Sequence, residues 1–181
     1  GTFMLDRRGR VTARFFEDFY VDRSTVSSVM VRLGVAGNPV AATRVTSDQV
    51  DLTTFVSDPS VAPGNRVSLV FDVAPKPGMH VYAPGATGYR VVALTLDEGP
   101  GVRALDTSDP PSETYYFAPL KERVPVYMRA FRLTREVLLD PSPQGAAALG
   151  ARTSLTVSGR LDYQACDDKI CYNPMSIPLS W

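Results

Sequence analysis

Three side chains could do thiol or metal chemistry without help from a carboxylate: Cys166, Cys171 and His80, the chain having only two cysteines and one histidine. A closed zinc site takes four ligands, so this set leaves one position for a carboxylate or a second subunit, and no metal is expected. No other cofactor is expected either. Two thiols separated by Asp167, Asp168, Lys169 and Ile170 are instead the makings of a reversible dithiol/disulfide.

The alternating residues Leu155, Val157, Gly159, Leu161 and Tyr163 predict a strand that runs into Cys166, and Cys171 opens the segment leading to the last strand. The four intervening residues suit a hairpin tip. Cysteines flanking such a tip face each other across adjacent strands, within the roughly 4.4 to 6.8 Å between Cα atoms that a disulfide tolerates. The loop so closed is very short, and the chain-entropy gain of a disulfide grows with loop length. A staple would more usefully join the two sheets of a sandwich. Placement therefore favours redox use, with a non-catalytic sandwich binding module carrying a structural disulfide as the alternative. Two inert thiols fit less well beside Asp167, Asp168 and Lys169. The aspartates oppose thiolate formation and Lys169 favours it, so the drive for exchange is expected to come from a more reactive partner thiol.

The elements that must hold this hairpin are strands. Fifteen prolines and thirteen glycines punctuate short apolar runs over 181 residues. Strand signals fall at Val50–Val56, at Val67, Leu69, Phe71 and Val73, and at 90–96, 124–133, 154–163 and 177–181. Seven or so short strands in this spacing predict an all-β, immunoglobulin-like antiparallel β-sandwich. Residues 106–119, with Pro110-Pro111 and the aromatics Tyr115, Tyr116 and Phe117, show no clear period and are expected to form a long loop. Residues 141–150 are expected to be a second loop or one short helical turn.

The beginning differs. Residues 3–6 and 11–16 read as a hairpin turning at Arg8-Gly9, and residues 22–25 can cap a helix with apolar positions Val26, Val29, Met30 and Leu33, ending at Gly34. A hairpin and one helix cannot bury a core alone, so residues 1–36 are read as an extension or fragment that docks on something. Gly37, Asn38 and Pro39 give residues 35–44 linker character, and the sandwich is placed at 37–181. Lys+Arg and Asp+Glu balance at 19 each, which argues against nucleic acid as a partner. No apolar run approaches a bilayer span, so no membrane contact by this chain is expected. Any targeting signal is expected to lie outside it.

Two resemblances add to this reading. Lys76-Pro77-Gly78-Met79-His80-Val81-Tyr82-Ala83-Pro84, Pro125-Val126-Tyr127, and above all Tyr163-Gln164-Ala165-Cys166 with Cys171-Tyr172-Asn173-Pro174 and Pro178-Leu179-Ser180 carry one of them. Over about residues 45–181 the chain resembles the amino-terminal domain of the thiol:disulfide interchange protein DsbD, the disulfide bond corrector family. That resemblance implies an immunoglobulin-like sandwich outside the cytoplasm, in the periplasm, that takes electrons from a thioredoxin-like domain and reduces thioredoxin-fold partners, as a protein-disulfide reductase component. It implies that Cys171 forms the mixed disulfide and Cys166 resolves it. It also implies an aromatic cover over the cysteines, here Tyr116 or Phe117, unless these rings fill the core. His80 and Tyr82 stand where the family places two aromatic residues beside the cysteines, and His80 there can tune thiol ionisation or simply be a hydrogen-bonded residue. Tyr163 is a further candidate for contact with the hairpin. The second resemblance, carried by Gly1-Thr2-Phe3-Met4-Leu5-Asp6-Arg7-Arg8-Gly9-Arg10-Val11, is to the closing hairpin and last helix of an AhpC/TSA-type redoxin. It covers about the first 34 residues and lacks the redoxin cysteine, and it implies a fused redoxin domain among the partners.

Overall fold

The computed structural model describes residues 1–16, 21–35, 41–97, 99–118, 120–150 and 152–181. Its elements in chain order are β1 (Thr2–Leu5), β2 (Val11–Phe15), β3 (Arg23–Ser24), α1 (Val26–Arg32), β4 (Thr43–Thr46), β5 (Val50–Val56), β6 (Asn65–Pro75), β7 (His80–Tyr82) and β8 (Ala93–Leu96). Then follow β9 (Val102–Ser108), β10 (Glu113–Phe117), β11 (Glu122–Tyr127), β12 (Phe131–Leu139), α2 (Pro143–Gly150), β13 (Ser158–Tyr163), β14 (Ala165–Cys166) and β15 (Met175–Ser180).

Two layers make the sandwich. One is the sheet β4-β5-β6-β12-β9; the other holds β15-β13-β8 and, continuing from β13 into β14, the sheet β14-β7-β11-β10. These pairings are antiparallel, so the expected all-β sandwich is the observed fold. Period-two alternation sends Leu52, Leu69, Phe71 and Leu133 of the first layer and Leu161 and Ile177 of the second into one shared core. Trp181 closes it, its ring edge-on to Phe71 and its Nε1 donating to Thr54 Oγ1 at 2.7 Å.

Two expectations about the chain's course are corrected. Residues 106–119 are mostly strand: the chain leaves β9, paired to β12 in the first layer, turns at Pro110-Pro111, and enters β10, paired to β11 in the second. The two prolines obscure the period because they mark a change of layer; Pro119 lies outside the described residues. Residues 124–133 make the same crossing in reverse, with β11 and β12 separated by residues 128–130. Residues 141–150 contain the two-turn helix α2, capped by Ser142 Oγ, which accepts from Gly145 N at 3.0 Å.

The beginning forms the expected hairpin β1-β2 and then helix α1, capped by Thr25 and followed by Gly34. The buried face of α1 is Ser28 and Val31, whereas Val26 is exposed. What decides this is docking: β3 pairs in parallel with β6, Ser28 Oγ meets Ser68 Oγ at 2.8 Å, and Val31 packs with Phe55 and Val70 on the outer face of the first layer. The linker residues Gly37, Asn38 and Pro39 lie outside the described residues.

The strand β7, three residues long, is too short to show a period of its own in the sequence. Lys76-Pro77-Gly78-Met79 is a tight turn in which Met79 N donates to Lys76 O at 2.9 Å and Gly78 takes φ 81, a left-handed conformation that favours glycine. That turn carries the chain from the first layer into the second and delivers His80-Val81-Tyr82 beside the cysteines.

Candidate functional site

The strand β13 is interrupted at Gln164 and resumes as β14. At this break the strand changes partners, from β15 and β8 to β7, and the Gln164 side chain ties the hairpin base to the segment before β8: its Nε2 donates to Tyr172 O and its Oε1 accepts from Arg90 N, each at 3.0 Å. Beyond it, Tyr172 N donates to Ala165 O at 2.9 Å and Asp167 N donates to Ile170 O at 3.0 Å. Cys166 and Cys171 lie between these two bonds as a non-hydrogen-bonded cross-strand pair, the kind in which Cα atoms approach most closely. Their Cα atoms are 4.1 Å apart and the sulfurs are joined.

The tip is organised by Asp167. Its Oδ1 accepts from Lys169 N and Ile170 N, both at 2.7 Å, and its Oδ2 accepts from the Tyr172 hydroxyl at 3.0 Å. The backbone bonds from Ile170 and Lys169 hold this carboxyl below the usual carboxylate range. The carboxylate expected only to oppose thiolate formation is thus also the residue that shapes the turn.

Alternation divides the strands between two environments. Val81 and Ala165 face the main core, whereas Tyr82 and Cys166 belong to a second apolar cluster with Val124 and Val126, against which Tyr89, Val91 and Tyr115 pack. Cys166 is fully buried there, and Cys171 is exposed. The Tyr82 hydroxyl lies 3.1 Å from Cys166 Sγ and 3.4 Å from Cys171 Sγ. Burial, and after it the neighbouring Tyr89, push the pKa of this phenol up. The Tyr82 and Tyr89 rings stack with centroids 3.9 Å apart, and the Tyr89 hydroxyl donates to Glu122 Oε1.

His80 is the register partner of Cys166 across β7 and β14. It is 3% exposed, its ring centroid is 4.5 Å from that of Tyr115, and its buried Nε2 meets no hydrogen-bond partner among the described residues. Burial lowers its pKa, opposed by the Asp167 carboxylate. A neutral imidazole is the form this burial favours.

Cys166, Cys171, His80 and Tyr82 are therefore brought together. Tyr163 is not: it points into the main core, where its hydroxyl meets Ser47 Oγ at 3.0 Å, because residues 163 and 166 lie on opposite faces of the strand. Tyr116 is half exposed beneath the Arg123 guanidinium, and Phe117 is buried at the end of β10. The ring of this trio in contact with the cysteine cluster is Tyr115, held in a strand rather than a loop. Period two across Tyr115 and Tyr116 is the signal that separates them. Tyr89 and Glu122 come from distant parts of the chain and nothing local in the sequence marks them, whereas Gln164 lies within the segment Tyr163-Gln164-Ala165-Cys166. Two clefts of about 540 and 520 Å³ lie elsewhere, one beside Trp181 and α2 and the other beside β9 and β12.

A cross-strand disulfide between one exposed and one buried cysteine, set on the outer face of a β-sandwich, is the site of a thiol–disulfide exchange module. The chain belongs to the family described as thiol:disulfide interchange protein DsbD, N-terminal, whose model matches residues 51–177. Its cysteine pair is accordingly a thiol–disulfide relay site. Among solved structures, the chain is similar to the N-terminal periplasmic domain of ScsB from Proteus mirabilis, with a TM-score of 0.53 and 16% identity over 75% of this chain and 49% of that one. It thus spans about half the length of that structure. It is also similar to the Neisseria meningitidis DsbD N-terminal domain in the reduced form (TM-score 0.40, 16% identity, 64% of this chain and 74% of that one). A third similar structure is the GAE domain of GGA2p from Saccharomyces cerevisiae (TM-score 0.45, 8% identity, 78% and 97%). No curated protein matches the chain.

Proposed function

We propose that the domain passes electron pairs between thioredoxin-fold proteins, with Cys171 forming the mixed disulfide and Cys166 resolving it. The observation that carries this assignment of roles is the difference between the two residues: Cys171 is exposed, whereas Cys166 is fully buried under Tyr82. A buried thiol five residues away is held ready to attack only the sulfur it already faces. The site works outside the cytoplasm, where disulfides persist; the periplasmic origin of the similar ScsB domain supports this. The redoxin-like beginning adds a fused redoxin domain to the partners, a reading supported by the hairpin-then-helix order of residues 2–32.

The test is a trap. In Cys166→Ser, Cys171 accumulates a stable mixed disulfide with a thioredoxin-fold partner, seen as a reducible adduct by mass spectrometry. Failure to form any adduct, with Cys171 shown to react with an alkylating agent, refutes the assignment.

A further inference from the structure

Cys166 must lose a proton before it can attack, yet its sulfur is sealed from water. The group that reaches it is the Tyr82 hydroxyl, at 3.1 Å. The rings of Tyr82 and Tyr89 stack with centroids 3.9 Å apart and planes 14° from parallel, which sets the two phenols side by side, and the Tyr89 hydroxyl donates to Glu122 Oε1. Glu122, the first residue of β11, is partly exposed. Polar groups therefore lead from the buried sulfur, past the two stacked phenols, to a carboxylate that solvent reaches.

The line has a direction. An ionised carboxylate can only accept, so the Tyr89 proton points at Glu122, the Tyr89 oxygen is left to accept from Tyr82, and the Tyr82 oxygen turns its lone pairs to the sulfurs. A thiol at Cys166 then finds an acceptor.

We propose that Glu122, acting through Tyr89 and Tyr82, takes up the proton that Cys166 releases when it resolves a mixed disulfide on Cys171. This rests on the exchange reading above. The Cys166 S–H proton passes to the Tyr82 oxygen as Tyr82 passes its own to Tyr89 and Tyr89 its own to Glu122. The electron pair left on Cys166 forms the bond to Cys171 Sγ, the bond from Cys171 to the partner sulfur breaks, and the partner leaves as a thiolate with that bond's electrons. Over the whole exchange the two cysteines are oxidised by two electrons and the partner disulfide is reduced by two. Glu122 then returns its proton to water. Neither tyrosine carries charge if the hops are concerted, as suits phenols in an apolar cluster. Glu122 and Tyr89 are positioning residues here, and His80, across the strands from Cys166, is the rival acceptor.

The reduced full chain is mixed with 5,5′-dithiobis(2-nitrobenzoic acid), a small aromatic disulfide. The first thiolate released reports attack by Cys171 and the second reports resolution by Cys166. In Glu122→Gln, which keeps an acceptor for Tyr89 but is a far weaker base, the second phase slows about tenfold or more, and its pH dependence between about pH 5 and 9 changes. The first phase stays within about twofold, Tyr89→Phe behaves like Glu122→Gln, and Glu122→Asp recovers much of the rate. A second phase equal to wild type in both Glu122→Gln and Tyr89→Phe overturns the relay, as does slowing confined to His80→Gln. If wild type itself releases no second thiolate, the exchange reading fails and the relay with it.

Discussion

His80 sits directly opposite Cys166 in the β7–β14 pair, on the same face of the sheet, and its buried Nε2 has no hydrogen-bond partner among the described residues. Burial, the larger cause, lowers the pKa of this imidazole from 6.5, and the Asp167 carboxylate pulls the other way. The folded protein therefore takes up this proton less readily than the unfolded chain does. The stability linked to His80 is fully present above its unfolded value and is lost as pH falls through the lowered folded value. Urea unfolding of the oxidised protein should show stability falling from about pH 7.5 to about pH 5, and His80→Phe should remove part of that slope. A slope unchanged by the substitution identifies another group as the one titrating.

Tyr115, rather than Tyr116, packs against the cluster containing Cys166 and Tyr82. Tyr115→Ala is expected to speed reduction of the disulfide by a small dithiol by roughly threefold or more, because access limits such exchange. Tyr116→Ala, which removes a half-exposed ring, is expected to leave the rate within about twofold. Stopped-flow reduction of the two variants makes the comparison, and the opposite order would restore Tyr116 as the cover.

Asp22 and Arg66 form a buried ion pair, Oδ2 to Nη2 at 3.0 Å, between the beginning of the chain and β6. Asp22→Ala takes a carboxylate from a buried guanidinium and is expected to cost about 3 to 5 kcal/mol in urea unfolding. A loss below about 0.5 kcal/mol, the level of an ordinary surface substitution, would mean that residues 21–35 dock without contributing to the fold.

Phe71 packs edge-on against Trp181 at the centre of the main core, away from the cluster that holds the sulfurs. Phe71→Ala should cost about 3 to 5 kcal/mol while leaving the reduction potential of the folded protein unchanged. A shift in potential would show that the two cores are coupled.

The sandwich and the cysteine hairpin were legible in the sequence because both rest on local signals: alternation over β5, β6 and β13, and a polar tip between two cysteines. The surroundings of the hairpin were only partly legible. Tyr163 adjoins the motif but faces the wrong way, and strand alternation excludes it once the position of Cys166 is taken as reference. Tyr115 could have been separated from Tyr116 by the same period had residues 113–117 been read as a strand. Tyr89 packs on the cluster around Cys166 from the segment between β7 and β8, and Glu122 meets Tyr89 from β11; the pairing of β7 with β11 depends on where the chain changes layers at 110–111 and 128–130, which no local pattern announces. On α1 the apolar stripe misled, since docking on β6 buries Ser28 and Val31 through a hydroxyl pair and a small apolar cluster.

The measurement that bears most directly on the central claim is the reduction potential of the Cys166–Cys171 pair, taken in dithiol buffers of known potential with differential alkylation to show which sulfur reacts first. The expected result is a midpoint above about −300 mV, in the range of exchange proteins at roughly −270 to −120 mV, with Cys171 alkylated before Cys166. A midpoint well below about −300 mV, with neither sulfur alkylated ahead of the other, would mark a structural staple and contradict the relay.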